Sequence, residues 1–157
     1  MIINERLSEY IKALECDLPE YLDVLEQKAL ADEVPIIRKE AQSLLRFLLC
    51  LLKPERILEV GCAVGFSAAF MSEYMPKECK ITTIEKVEMR IREAKKNLAV
   101  IPRAEDVTLI CGDALDVLKE LAEKGESYPF IFMDAAKGQY MNFLPYLMKL
   151  LPEGGIL

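Results

Sequence analysis

The sequence predicts a doubly wound α/β fold with a mostly parallel sheet, preceded by helices at the N-terminal end. The first observation is that short apolar segments alternate with amphipathic segments from residue 54 onward. Continuous apolar runs of this kind are typical of parallel strands that are covered on both faces. The second observation is that each pair of such strands needs a right-handed crossover, which places helices on both sides of the sheet. The 157 residues correspond to a single domain's length of chain.

Two helices are predicted within residues 1–33. Apolar residues at helical spacing define the first, with Asn4 as its cap: Ile3, Leu7, Tyr10, Ile11 and Leu14. The second has Asp17 and Glu20 at the spacing of a capping box, with Pro19 in its first turn. We expect this segment to act as a lid or a dimer contact. Val34-Pro35 then interrupts the pattern, and the main domain is predicted over residues 34–157.

The remaining elements follow in alternation. A strongly apolar third helix is predicted over residues 41–52, before Pro54. Strands are predicted at 56–60, 80–85, 106–111 and 129–133, and helices at about 65–75, 87–99, 113–124 and 139–151. Beyond a turn at Gly154-Gly155, Ile156 and Leu157 resemble the start of another strand. We therefore expect the C-terminal strands of the sheet to be missing from this sequence, which would leave a sheet edge open.

Composition excludes several kinds of site. The chain has no His, which rules out imidazole bases and ligands. Its 26 acidic and 20 basic residues give a net charge of −6, and residues 1–34 carry that excess with 9 acids and 3 bases. The five cysteines form no C-x-x-C pair. We find no signal peptide and no membrane-length apolar run, so we predict a reduced, cytoplasmic compartment without membrane contact.

The strongest motif, Glu59-Val60-Gly61-Cys62-Ala63-Val64-Gly65-Phe66-Ser67, follows the first predicted strand and opens a helix. Gly61 and Gly65 permit positive φ and close approach of a ligand, and the helix N-terminus suits a carboxylate or phosphate. The E-x-G-x-x-x-G spacing differs from the G-x-G-x-x-G of dinucleotide enzymes. It favours an amino-acid ligand whose ammonium faces Glu59. Purely structural glycines are the alternative.

Acidic residues also end the next two strands. Glu85 can accept both hydroxyls of a ribose, or it can be a solvated charge. Asp113 can accept from an adenine amino group beside the Ala114 backbone, and it can also cap the following helix. Sites for an amino acid, a ribose and an adenine together describe S-adenosylmethionine.

The fourth strand ends in Asp134, and Lys137 follows three residues later. A carboxylate at this position suits a hard cation such as Mg²⁺. Lys137 could take a proton from a metal-bound hydroxyl. The alternatives are a helix cap for Asp134 and an exposed loop lysine for Lys137.

These motifs resemble the class I S-adenosylmethionine-dependent methyltransferases, specifically the cation-dependent O-methyltransferases related to catechol and caffeoyl-CoA enzymes. The stretches V-P-I-I, L-E-V-G-x-x-x-G-F-S, G-D-A and M-D-A-A-K-G-Q-Y are most similar to a bacterial subgroup that includes tRNA 5-hydroxyuridine O-methyltransferases. The resemblance implies that the substrate is a hydroxyl, with wobble 5-hydroxyuridine as first choice and a small phenol or catechol as second. It also implies a homodimer.

The resemblance assigns roles at the matching positions. Asp134 would be a metal ligand beside the cofactor methyl, Mg²⁺ or another divalent cation would be the metal, and Lys137 would be the general base. The cofactor site would comprise Ile36, Glu59, Gly61, Gly65, Phe66, Ser67, Glu85, Asp113, Ala114 and Asp134.

Three departures from the family pattern stand out. Cys62 replaces the more usual Thr or aromatic residue and is interpreted as a neutral filler. Ala135-Ala136 replaces the His-Trp of the animal catechol enzyme and predicts a roomier site. The family's other two metal ligands, an Asp-Asn pair, would follow Leu157.

Other interpretations remain open at the level of sequence. Six basic residues could form an RNA-contacting face or a solvated helix face: Lys86, Arg90, Arg92, Lys95, Lys96 and Arg103. A nicotinamide dehydrogenase and a non-catalytic cofactor-binding or dimerisation module are the alternative functions.

Overall fold

The computed structural model describes residues 17–157 and, before them, Arg6, Tyr10 and Ala13. The first predicted helix therefore lies mostly outside the described residues. The described helices are α1 (Glu20–Ala31), α2 (Lys39–Leu52), α3 (Phe66–Tyr74), α4 (Glu88–Leu98), α5 (Ala114–Glu123) and α6 (Tyr140–Leu150). The strands are β1 (Arg56–Val60), β2 (Lys80–Glu85), β3 (Val107–Cys111) and β4 (Phe130–Met133). Short 3₁₀ turns occupy Ala104–Asp106 and Lys137–Gln139.

The four strands form one parallel sheet in the order β3-β2-β1-β4. The chain thus adds strands on one side of β1 and then returns to its other side, so β1 and β4 flank the point where the strand order reverses. In open parallel sheets, ligands bind at this point, beside the carboxyl ends of the strands. The doubly wound fold predicted from the sequence is confirmed.

A further segment pairs with β4. Ile156 forms a parallel bridge with Phe130, its N–H donates to the Pro129 carbonyl at 2.9 Å, and its carbonyl accepts from the Ile131 N–H at 2.8 Å. The strand start predicted at residues 156–157 is confirmed.

Both faces of the sheet are covered, as continuous apolar strands require. On one face, Ile57 and Ile81 pack with Leu22, Leu49 and Phe70 of the helices α1, α2 and α3. On the other face, Leu58, Val60 and Ile84 pack with side chains of α5 and α6, including Leu118 and Leu147. None of the described helices is long and apolar enough to cross a bilayer.

The capping box predicted at Asp17 is wrong. Helix α1 begins at Glu20 with Pro19 in the cap position, and no side chain caps it. Asp17 lies two residues before that position, which is outside the reach of the capping geometry.

Arg103 is not part of an exposed basic face. Its guanidinium donates to Asp106 Oδ2 at 2.7 Å and to backbone carbonyls at the end of α3 and in the loop that follows, including Met75 at 3.1 Å and Lys77 at 2.7 Å. The side chain is only 20% exposed. Arg103 therefore fastens the C-terminal end of α3 to the entrance of β3 instead of being available to RNA.

Candidate functional site

A cavity of about 910 Å³ lies at the carboxyl ends of the strands. Nine of the eleven residues predicted for the site line it: Ile36, Gly61, Phe66, Ser67, Glu85, Asp113, Ala114, Asp134 and Lys137. Glu59 and Gly65 are outside this lining. Because parallel strands all end at one edge of the sheet, acids separated by 20 to 30 residues in sequence converge here.

The turn between β1 and α3 is held between both neighbouring strands. The N–H groups of Gly61 and Cys62 donate to the Ile84 carbonyl at 3.1 and 3.0 Å, and the Asp134 N–H donates to the Val60 carbonyl at 3.0 Å. Gly61 has φ +102°, and a Cβ on it would lie 2.4 Å from the Asp134 carbonyl oxygen. Only glycine fits this turn without displacing backbone.

Gly65 adopts the positive φ that the sequence predicts for it. It adopts φ +88° as the cap residue of α3, and a Cβ on it would lie 3.1 Å from Leu98 Cγ. This glycine therefore permits a left-handed turn and close packing of Leu98 from α4, and its contact with a ligand stays a prediction.

Glu59 is fully buried in β1. Its Oε2 accepts a hydrogen bond from the Thr83 hydroxyl of β2, whereas Oε1 has no partner among the described residues. Burial raises the pKa of Glu59 to about 7, the nearby carboxylates of Asp134 and Glu85 act in the same direction, and the Ser67 and Thr83 hydroxyls oppose them. A buried acceptor without a donor is costly, which makes Oε1 a position where a ligand donor would be stabilising.

Glu85 is buried at the end of β2 and is not the solvated charge considered as an alternative. Its Oε2 accepts from the Ala63 N–H at 2.8 Å, and its Oε1 accepts from the N–H groups of Lys86 and Val87 at 2.9 Å each. The carboxylate thus joins the glycine turn to the loop after β2. Three backbone donors leave room for about one more hydrogen bond, on the side that lines the cavity.

Asp113 caps α5, as the alternative interpretation held. Its Oδ1 accepts from the Leu115 N–H at 2.9 Å, and its Oδ2 lies 3.2 Å from Lys86 Nζ. These two contacts hold the pKa of Asp113 below its usual range. The residue also lines the cavity, so capping and ligand contact are compatible.

Asp134 and Lys137 are exposed at the cavity rim after β4. Asp134 caps no helix, because Ala136 and Gln139 occupy the cap positions that follow. In the part of the chain that the structure describes, no group of three Cys, Asp or Glu side chains is arranged to hold a metal. The described residues therefore do not by themselves form a metal centre.

Several cavity residues were not assigned from the sequence to the cofactor site. Arg38, Lys86 and Arg90 bring positive charge to the lining, and Gln139 and Phe143 complete it beside Lys137. Lys86 and Arg90 belong to the basic run, and that run was the only sequence feature that pointed to a functional role for them. Arg38 and Arg90 form no ion pair within residues 17–157.

Burial raises the pKa of the Cys62 thiol well above its ordinary value. The side chain is 1% exposed in the glycine turn. A thiol that keeps its proton is a weak nucleophile, which is consistent with a filler role.

A family model described as O-methyltransferase matches residues 12–157. The chain belongs to this O-methyltransferase family. The caffeoyl-CoA O-methyltransferase of Stellaria longipes is 35% identical over 124 residues, which cover 74% of this chain and 50% of that protein. The catechol O-methyltransferase of Niastella koreensis is 29% identical over 114 residues, which cover 72% of this chain and 52% of that protein. The chain thus spans about half the length of these curated relatives.

Solved structures agree with this assignment. The O-methyltransferase TomG of Streptomyces achromogenes, in complex with S-adenosylmethionine, matches with a TM-score of 0.83 at 26% identity, covering 97% of this chain and 71% of that one. A Podospora anserina methyltransferase bound to S-adenosylhomocysteine matches with a TM-score of 0.85 at 26% identity, covering 96% of this chain and 66% of that one. The family assignment does not support the nicotinamide-dehydrogenase alternative.

Proposed function

We propose that this chain binds S-adenosylmethionine in the cavity at the strand ends and carries the cofactor-binding part of an O-methyltransferase. The observation that carries the proposal is that Gly61, Glu85 and Asp113 meet in one cavity, while Glu59 Oε1, two residues before Gly61, is buried without a partner among the described residues. The ammonium of an amino-acid moiety would supply the missing donor. Structural neighbours solved with S-adenosylmethionine and S-adenosylhomocysteine support this choice of ligand.

The other parts of the cofactor have counterparts in the cavity. The N-terminus of α3, near Ser67, offers free N–H groups and partial positive charge to the cofactor carboxylate. Glu85 has remaining acceptor capacity for a ribose hydroxyl, and Asp113 with Ala114 would face the adenine. Ile36 would pack against the ligand from the segment before α2.

In the proposed reaction, the bound cofactor supplies a methyl group on a positively charged sulfur. Lys137 lines the cavity beside Asp134, and we propose it as the base that takes the proton of the acceptor hydroxyl. The acceptor oxygen forms a bond to the methyl carbon as the carbon–sulfur bond breaks, and the products are the methyl ether and the thioether. Positioning at the rim supplies most of the acceleration.

Divalent-metal assistance is a separate proposal. Asp134 would supply one oxygen ligand, and the described residues offer no further cluster around it. The steps above therefore involve no metal. Titration of Mg²⁺ into the chain, with Asp134→Asn as control, tests this proposal. Binding that the variant loses would support a metal site at Asp134. No binding to the unchanged chain would contradict the metal proposal.

We propose 5-hydroxyuridine at the tRNA wobble position as the acceptor. Positive charge from Arg38, Lys86 and Arg90 at the cavity would favour a phosphate-bearing substrate, and the bacterial subgroup resemblance favours this nucleoside. The second candidate is a small phenol or catechol, supported by the names of the curated relatives. Methyl transfer to hypomodified tRNA and to catechols, measured side by side, separates the two.

Calorimetric titration of S-adenosylmethionine into the 157-residue chain tests the cofactor site. We expect micromolar binding that Glu85→Ala abolishes and that Lys137→Met leaves unchanged. No binding by a folded sample would overturn the proposal. Binding without methyl transfer to either acceptor would favour the non-catalytic cofactor-binding module.

We also propose a homodimer and, as the sequence predicts, a cytoplasmic location. Leu44, Phe47 and Leu51 form an exposed apolar stripe on α2, at 57%, 60% and 62% exposure. Burial of such a stripe against a second copy would be favourable. Light scattering should give twice the chain mass, and Phe47→Glu should give the monomer mass. A monomeric wild type would contradict the dimer.

A further inference from the structure

We propose that Thr83 is a positioning residue of the cofactor site: its hydroxyl holds Glu59 Oε2 so that Oε1 is presented to the ligand ammonium. This inference rests on the cofactor site proposed above. It extends the site to a residue in the interior of β2 that does not touch the cavity.

The geometry begins with strand register. Glu59 of β1 is the direct partner of Thr83 of β2 in the parallel pairing. Both side chains are fully buried, and the Thr83 hydroxyl donates to Glu59 Oε2. A polar side chain in the middle of a buried strand costs free energy unless it is hydrogen-bonded, and here the carboxylate is its acceptor.

Among the described residues, Thr83 is the donor that lies within hydrogen-bond distance of Glu59 Oε2, and Oε1 has no partner. Asp134 at the end of β4 and Glu85 at the end of β2 carry like charge, while the Cys62 thiol keeps its proton. Ser67 of α3 is the remaining hydroxyl near the group. Without Thr83, Oε2 would lose its donor and Ser67 would be the hydroxyl left beside the carboxylate, so the group would rotate or take up a proton. A neutral or rotated Glu59 binds an ammonium poorly.

Loss of the Thr83 hydroxyl should weaken binding of only one part of the ligand, the amino-acid moiety. S-adenosylhomocysteine carries the amino-acid moiety, and 5′-methylthioadenosine carries the adenosine without it. A residue that acts only through Glu59 should affect the first ligand and spare the second. A residue that merely supports the fold should affect both ligands alike.

The experiment titrates both ligands into wild type, Thr83→Val and Thr83→Ser. Valine keeps the shape and loses the hydroxyl, whereas serine keeps the hydroxyl. We expect Thr83→Val to weaken S-adenosylhomocysteine about 10–100-fold, as for loss of a hydrogen bond to a charged group. It should weaken 5′-methylthioadenosine less than about twofold, and Thr83→Ser should restore most of the difference.

The adjacent Thr82 provides a matched control. Its hydroxyl lies 3.3 Å from the Tyr128 hydroxyl and outside the cavity lining, so Thr82→Val should leave the affinity for both ligands unchanged. In a Glu59→Gln background, Thr83→Val should have no further effect on affinity. Should Thr83→Val not fold, Thr83→Ala replaces it.

Equal weakening of both ligands by Thr83→Val would overturn the inference and indicate a structural role. Unchanged affinity for both would overturn it as well. Failure of wild type to bind S-adenosylhomocysteine would instead remove the proposed cofactor site, and with it this inference. The two failures are therefore distinguishable.

Discussion

The substitution Gly61→Ala tests the turn on which the cavity depends. Gly61 has φ +102° and lies against the backbone that follows β4. An added Cβ would lie 2.4 Å from the Asp134 carbonyl oxygen and 3.0 Å from the Asp134 carbonyl carbon. Both atoms are backbone, so no side chain can rotate away to relieve the contact.

Two costs contribute to the expected loss. A residue with a Cβ in this region of φ costs about 1–3 kcal/mol. Displacing packed backbone costs about a further 1–3 kcal/mol, as overpacking typically does. We therefore expect Gly61→Ala to lower the free energy of unfolding by roughly 2–6 kcal/mol, a large part of the 5–15 kcal/mol typical of a domain.

Gly125 supplies the matched control. It has φ +70°, and a Cβ on it would meet nothing within 4 Å. Gly125→Ala therefore carries the backbone cost alone, about 1–3 kcal/mol. Urea unfolding followed by circular dichroism gives both values.

Calorimetry then adds the functional readout. We expect Gly61→Ala to lose affinity for S-adenosylhomocysteine, because the glycine turn and the loop at Asp134 must separate, while Gly125→Ala keeps it. If the two variants lose equal stability and bind equally well, the close approach between the turn and Asp134 is wrong.

Three further outcomes are expected. Burial raises the pKa of Glu59 from 4.5 to about 7, so the folded state keeps a proton that the unfolded state releases. The free energy of unfolding should fall by on the order of 3 kcal/mol as pH rises from 4.5 to 7, and Glu59→Gln should remove that fall; equal pH profiles would contradict it. Glu85→Gln should lower thermal stability and cofactor affinity, because an amide NH₂ would face backbone donors; an unchanged melting temperature would refute this. Arg103→Ala should lower the free energy of unfolding by about 2–4 kcal/mol, whereas Arg92→Ala, at an exposed helix pair, should change it little; equal effects would contradict the carbonyl network.

Most elements were predictable from the sequence because their signals are local. Strands β1 to β4 and helices α3 to α6 match the predicted ranges to within one residue at each end. The apolar run of each strand and the glycine after β1 set the local conformation together with residues that are close to them in sequence. The failure at Asp17 has the same origin: two residues at capping spacing do not decide where the first helical turn begins.

The convergence of Glu85, Asp113 and Asp134 on one cavity was also predictable. Parallel strands joined by right-handed crossovers must end at one edge of the sheet, so acids at strand ends meet there. The burial of the Glu85 side chain was not predictable in the same way. Glu85 proved to be a buried acceptor of three backbone N–H groups, which depends on how two loops approach each other.

The sequence by itself determined the alternation of elements, the glycine turn and the edge of the sheet at which the site lies, because each depends on residues close together in the chain. Only the tertiary structure decided that Thr83 lies opposite Glu59, that Asp134 closes against Gly61, and that Arg103 holds the end of α3. These contacts join residues far apart in sequence. Their partners are set by strand order and register, which follow from packing of the whole core and not from any local pattern.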